Sequence, residues 1–118
     1  MRKLLYFLFL LVLVHSNCSK DNTNIPDCTF ENPIEELNWL KQVKNSLTNC
    51  SCQTSIIQGK FREETVFYTR MDDPACNSIF NVTLWDCNGD VVKEYKFGDS
   101  EVFYKEVDYV RNLYTCSD

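Results

Sequence analysis

Histidine is nearly missing from this chain of 118 residues: the only one, His15, lies in an N-terminal stretch that reads as an export signal and leaves with it. The chain left behind has no imidazole, which excludes a Ser-His or Cys-His nucleophile pair and the usual catalytic zinc site. Glycine is scarce too. Gly59, Gly89 and Gly98 are the only three, too scattered for a loop whose backbone amides wrap a phosphate. Positive charge is also short: 12 Lys and Arg, dispersed along the chain, stand against 17 Asp and Glu for a net charge of −5. That balance gives no footprint for nucleic acid. No apolar run is long enough to cross a bilayer, since the one within Met1–Val14 holds about a dozen residues where about 20 are needed.

The acidic residues that remain do not assemble into a recognisable site. Asp86-Cys87-Asn88-Gly89-Asp90 alternates like a calcium loop, yet Val91 stands where such a loop needs glycine and Phe97 where it needs the bidentate glutamate. A hairpin turn accounts for it better. Glu63-Glu64 and Asp72-Asp73 are adjacent acids in turns, which are ordinarily solvated rather than paired for glycoside hydrolysis. Asn49-Cys50-Ser51 and Asn81-Val82-Thr83 are glycosylation sequons, meaningful only in a eukaryotic chain. The reading is therefore of a protein that is not an enzyme and carries no cofactor or metal.

What the chain does have begins at its N-terminus. A short basic start and an apolar run form an export signal, followed by His15-Ser16-Asn17-Cys18-Ser19-Lys20-Asp21-Asn22. This segment resembles the signal end of bacterial lipoproteins, in the loose form used by Bacteroidota, and the resemblance implies that Cys18 becomes the diacylated first residue. The chain departs from the family pattern in having Asn17 before the cysteine and His15 three residues before it. An ordinary signal-peptidase cut after Ser16, with Val14 and Ser16 as the small pair, is the alternative and would release a free secreted protein. On the lipoprotein reading residues 1–17 are the signal, 18–25 the lipidated cysteine and a polar tether, and 26–118 a single domain.

Cysteine number favours the anchor. The seven are Cys18, Cys28, Cys50, Cys52, Cys76, Cys87 and Cys116, an odd set for an exported chain. Lipidating Cys18 leaves an even set suited to disulfides in an oxidising compartment. Zinc is disfavoured, because Cys50-Ser51-Cys52 has no second closely spaced pair to complete a site.

The domain is organised around Ile79–Phe97, two β-rich runs joined by Asn88-Gly89, a dipeptide suited to a two-residue type I′ turn. That turn places Phe80 opposite Phe97, Val82 opposite Tyr95 and Leu84 opposite Lys93 on an apolar core face. Asn81, Thr83, Glu94 and Lys96 lie on a wet face, where Trp85 with Val92 breaks the alternation. Upstream, Asn32-Pro33-Ile34-Glu35 reads as a helix start with Asn32 as cap and Glu35 closing a capping box. Ile34, Leu37, Leu40, Val43 and Leu47 continue one helical stripe that covers the sheet. Cys52–Phe61 and Thr65–Met71 read as a second strand pair joined by Arg62-Glu63-Glu64, and Ser100 caps a short helix holding Val102, Phe103 and Val107. The fold class is α+β: an N-terminal helix on an antiparallel four-stranded meander, then a short helix and a terminal strand, stapled by disulfides.

Asn112-Leu113-Tyr114-Thr115-Cys116 could continue the short helix or return as a short terminal strand, and cysteine geometry favours the strand. In a meander Cys50, Cys52 and Cys76 lie at one end of the sheet, with Cys28 and Cys87 about 25 Å away at roughly 3.3 Å per residue. Disulfides need α-carbons within about 7 Å. A returning strand brings Cys116 to the first end, so that Cys28 pairs with Cys87 while Cys50 and Cys52 are shared between Cys76 and Cys116.

The order ENPIEELNWLKQV, GKFREETVFY, then DPACNSIFNVTLWDCNGDVVKEY is similar to small envelope lipoproteins of Bacteroidota whose function is uncharacterised, and this implies a bacterial outer-membrane or cell-surface location. No functional residue carries over from it. Function is expected to be that of a lipid-anchored binding or interaction module, attached to the membrane through its lipid and contacting a protein or glycan through the outer sheet face around Trp85, Tyr68 and Thr83. Trp85 packed under the terminal segment is the plain alternative. A secreted hydrolase inhibitor or small enzyme is the other class.

Overall fold

The structure is a computed structural model and describes residues 28–76 and 79–117; the signal segment, Cys18 and the tether lie outside the described residues. Two short helices come first, α1 (Pro33–Glu36) and α2 (Asn38–Ser46). Strands β1 (Thr54–Phe61), β2 (Glu64–Met71), β3 (Val82–Trp85) and β4 (Val91–Tyr95) follow, then α3 (Ser100–Glu106) and β5 (Val107–Cys116). The five strands form one antiparallel sheet in the order β4-β3-β2-β1-β5. The architecture is α+β, with the four-stranded meander and the terminal strand in place.

The single N-terminal helix is in fact two, because Leu37 is extended at φ −100° and ψ 107°. Asn32 caps nothing with its side chain, and its backbone N–H instead donates to Glu36 Oε1 at 3.0 Å. Glu35 is drawn outward to Lys41 at 2.9 Å, whose ammonium holds the Glu35 carboxyl below its ordinary range. A return bond from one residue further on replaces the expected capping box.

The two hairpins exchange their expected turns. Arg62 and Glu63 both adopt positive φ, 51° and 66°, between the paired ends Phe61 and Glu64, so the type I′ backbone belongs to β1–β2. In β3–β4 only Gly89 is left-handed, at φ 84°. The Gly89 N–H donates to the Asp86 carbonyl at 3.1 Å, and the Asp86 N–H donates to the Asp90 carbonyl at 2.9 Å. This is a three-residue loop with a left-handed glycine. The Asp86 carboxylate holds it by accepting the N–H groups of Asn88 at 2.8 Å and Asp90 at 3.0 Å. Trp85 then faces Val91, while Leu84 faces Lys93, so Val92 is an extra, bulged residue. The longer loop and the bulge compensate, which is why Val82 still meets Tyr95.

Both faces of the sheet are covered, a second departure from expectation. Val82, Leu84 and Tyr95 do lie in a core, but with Ile57, Phe61, Val66, Tyr68, Val107 and Phe103 of α3. The N-terminal helices instead cover the other face, where Ile34 and Leu40 join Cys28, Ile56, Phe67 and Cys87. The cause is visible in β1, whose buried run Ser55–Gly59 does not alternate, as befits a strand with apolar neighbours on both sides. Phe97 is excluded from either core at 83% exposure, since β4 stops at Tyr95 and the Lys96 N–H turns the chain by bonding Asp99 Oδ2. That bond also occupies Asp99, the residue before α3, so Ser100 is a helical residue rather than the cap.

Buried polar groups find partners. Ser55 shares a 3.0 Å hydrogen bond with Thr115, and Arg111 donates to Gln58 Oε1 at 2.8 Å and to the Phe30 carbonyl at 2.9 Å, tying the N-terminal segment to β1 and β5. The cysteines pair as Cys28–Cys87, Cys50–Cys116 and Cys52–Cys76, with α-carbons 5.8, 5.7 and 5.9 Å apart. The first pair staples one end of the sheet and the other two the opposite end. In the chain-entropy picture the first two links contribute about 4 kcal/mol each and the shorter third about 3.5 kcal/mol.

Candidate functional site

The structure does not bring Trp85, Tyr68 and Thr83 together on one exposed face. Trp85 faces Phe67 across the strands and packs against Trp39 of α2, with ring centroids 6.2 Å apart. It lies beneath the N-terminal helix, not the terminal segment. Thr83 shares its side by strand alternation. Tyr68 points the other way, at 2% exposure, edge-on to Phe103 at 5.3 Å, and burial pushes its phenol pKa up.

The region around Asn88-Gly89 is a joint. The Trp39 indole N–H donates to the Cys87 carbonyl at 2.9 Å, and its ring lies so close to Gly89 that a Cβ there would meet it at 2.9 Å. With Cys28–Cys87 beside them, these contacts lock the hairpin turn to the N-terminal segment and α2. A polar latch fastens α3 in a similar way. The Glu106 carboxylate accepts from Lys93 and from the Tyr95 hydroxyl, the latter at 2.6 Å. Lys93 and then Tyr95 hold its pKa below the carboxylate range, while burial and Glu106 raise that of Tyr95.

A cleft opens at the other end of the sheet. Among the described residues, strands β2 and β3 share a single ladder pair, Phe67 with Trp85, and no further pair forms between them toward Met71 and Val82. The gap holds a cavity of about 190 Å³ lined by Thr54, Thr69, Arg70, Met71 and the segment Ile79–Val82. Thr69 and Met71 belong to the side carrying Phe67, whereas Arg70 and Val82 belong to the opposite side, so the cavity lies in the plane of the sheet. Its lining mixes apolar and polar side chains, with Ile79 75% exposed at the mouth and Phe80 packed at a tilt against Tyr104 of α3 at 6.3 Å. Arg70 is spoken for by an ion pair with Asp72. Among the described residues Asp73 accepts backbone N–H groups alone, from Ala75 at 2.8 Å and Gln53 at 3.5 Å.

Sequence reasoning missed this cleft. Its one local signal is Ile79-Phe80 directly ahead of β3, of which Phe80 alone is expected on the core face. Among the described residues no three His, Cys, Asp or Glu side chains gather in a metal-ligand arrangement, and no helix is long and apolar enough to cross a membrane. No protein-family model, curated protein or solved structure matches the chain.

Proposed function

We propose that this is a lipid-anchored protein of the bacterial cell envelope, at the outer membrane or cell surface, whose folded domain is a small non-enzymatic binding or interaction module. One observation carries the reading. The six cysteines from Cys28 to Cys116 satisfy one another in three pairs, so Cys18 has no part in cross-linking the domain and stands where a lipoprotein signal needs its acylated residue. The stretch from Cys18 to Cys28 then joins the lipid to the end of the sheet that carries Cys28–Cys87. The module's partners would be of protein or glycan character.

Cell fractionation tests the anchor. The protein should partition with membranes and into detergent, and Cys18→Ala should shift it to the soluble fraction or leave it unprocessed. Wild-type protein found wholly soluble would favour the cut after Ser16 and a free secreted product, for which a hydrolase inhibitor is the alternative role.

A further inference from the structure

We propose that the cleft between β2 and the Ile79–Val82 segment accepts an extended polypeptide segment of a partner protein, which adds to the open side of β2 and seats one apolar side chain in the cavity. This deepens the binding-module reading and rests on it, without depending on the lipid. Size decides against a conventional ligand. A cavity of about 190 Å³ lies below the roughly 300–1,000 Å³ of small-molecule pockets, yet above the roughly 150 Å³ that holds one benzene ring. It is the volume of a single side chain.

The backbone supplies the rest. On its other side β2 pairs with β1 from Glu64 to Met71, but toward β3 its one ladder pair is Phe67 with Trp85, so among the described residues no ladder pair engages Thr69–Met71 on that side. An added strand pairs through main-chain hydrogen bonds and takes specificity from pockets for alternate side chains. The lining fits that use, with Met71, Ile79, Phe80 and Val82 for an apolar side chain and Thr54, Thr69 and Asn81 as polar partners. Charge fixes the far side of the segment: Asp73 lacks a cationic partner among the described residues and the chain is net −5, so a Lys or Arg belongs at the Asp72–Asp73 end.

A second copy of this chain is a poor occupant. Its edge strand β5 carries extra residues at Val110 and Leu113, and its edge strand β4 one at Val92, and such bulges turn an edge away from pairing. Two copies would also bring like net charge together.

The test selects binders to the full chain in detergent from a random-peptide display library and measures the synthesised hits by fluorescence anisotropy. The hits should alternate apolar residues, carry Lys or Arg, and bind Thr69→Trp, which fills the cleft, at least about tenfold more weakly. Met71→Arg, a half-exposed rim position, should weaken them similarly and covers the case in which Thr69→Trp fails to fold. Asp73→Asn and added salt should each cost several-fold. Amide shifts on titration should centre on Thr69–Met71 and Asn81–Val82. The proposal is overturned if no peptide is selected, if hits bind Met71→Arg and wild type alike, or if the same amides shift on concentrating the protein alone, which would make a second copy the occupant. Membrane release of Cys18→Ala leaves all these readings unchanged, so the two ideas fail separately.

Discussion

The two ends of the sheet are built to opposite purposes. At the hairpin-turn end, a disulfide, an indole hydrogen bond and a ring packed on Gly89 all converge on Cys87–Gly89. At the other end two disulfides hold Cys50 to Cys116 and Cys52 to Cys76, yet β2 and β3 part and leave a cavity between them. Cross-linking alone does not close a structure. The closed end is closed because its side chains fill the space under the turn, and the open end stays open because its staples sit outside the β2–β3 gap.

Removing the staples should separate the two ends most strongly. Cys28→Ser with Cys87→Ser should lower stability by about 4 kcal/mol, and Cys52→Ser with Cys76→Ser by about 3.5 kcal/mol, as read from urea midpoints. The first pair should also release Trp39, seen as a change in tryptophan fluorescence, while the second should not. Gly89→Ala comes next, with a loss of about 2 kcal/mol from a left-handed alanine pressed on the Trp39 ring. The reverse sign is expected at the β1–β2 turn. Replacing Arg62-Glu63 by Asn-Gly relieves two side chains held at positive φ and should gain about 1 kcal/mol in the same assay.

The legible parts of this fold were those written in local pattern. Alternation in Val82–Trp85 and Val91–Tyr95 gave the core residues of the central hairpin, and counting which end of the sheet each cysteine reaches gave Cys28 with Cys87. Turn type was not legible, because Arg62 and Glu63 have no preference for positive φ and adopt it under the demand of the flanking strands. Neither was the break at Leu37, an apolar residue in helical register whose extended backbone answers to packing. The adjacent pairs Ile56-Ile57 and Val66-Phe67 did signal a sheet buried on both faces, and read that way they would have sent Tyr68 and Trp85 to opposite sides. The cleft had only Ile79-Phe80 ahead of β3 as a local signal, since it arises where two strands stop pairing in space.

The smallest expected effect is on pH dependence. Glu106 has a depressed pKa through Lys93 and Tyr95, so its contribution is present above the ordinary carboxylate pKa and is lost as pH falls through its lower folded value. Glu106→Gln should therefore flatten the acid limb of a plot of Tm against pH. Tyr95 and Tyr68 are raised, so their contribution holds below about pH 10 and is lost above it, which should give a separate alkaline limb that this variant leaves largely in place.

The intact mass of the chain extracted from membranes and alkylated without reduction tests the anchored, stapled module most directly. The account predicts a chain that begins at Cys18, carries a diacylglyceryl group on its sulfur and takes up no alkylating agent. A chain beginning at an unmodified Asn17, with an alkyl group on any cysteine, would contradict it.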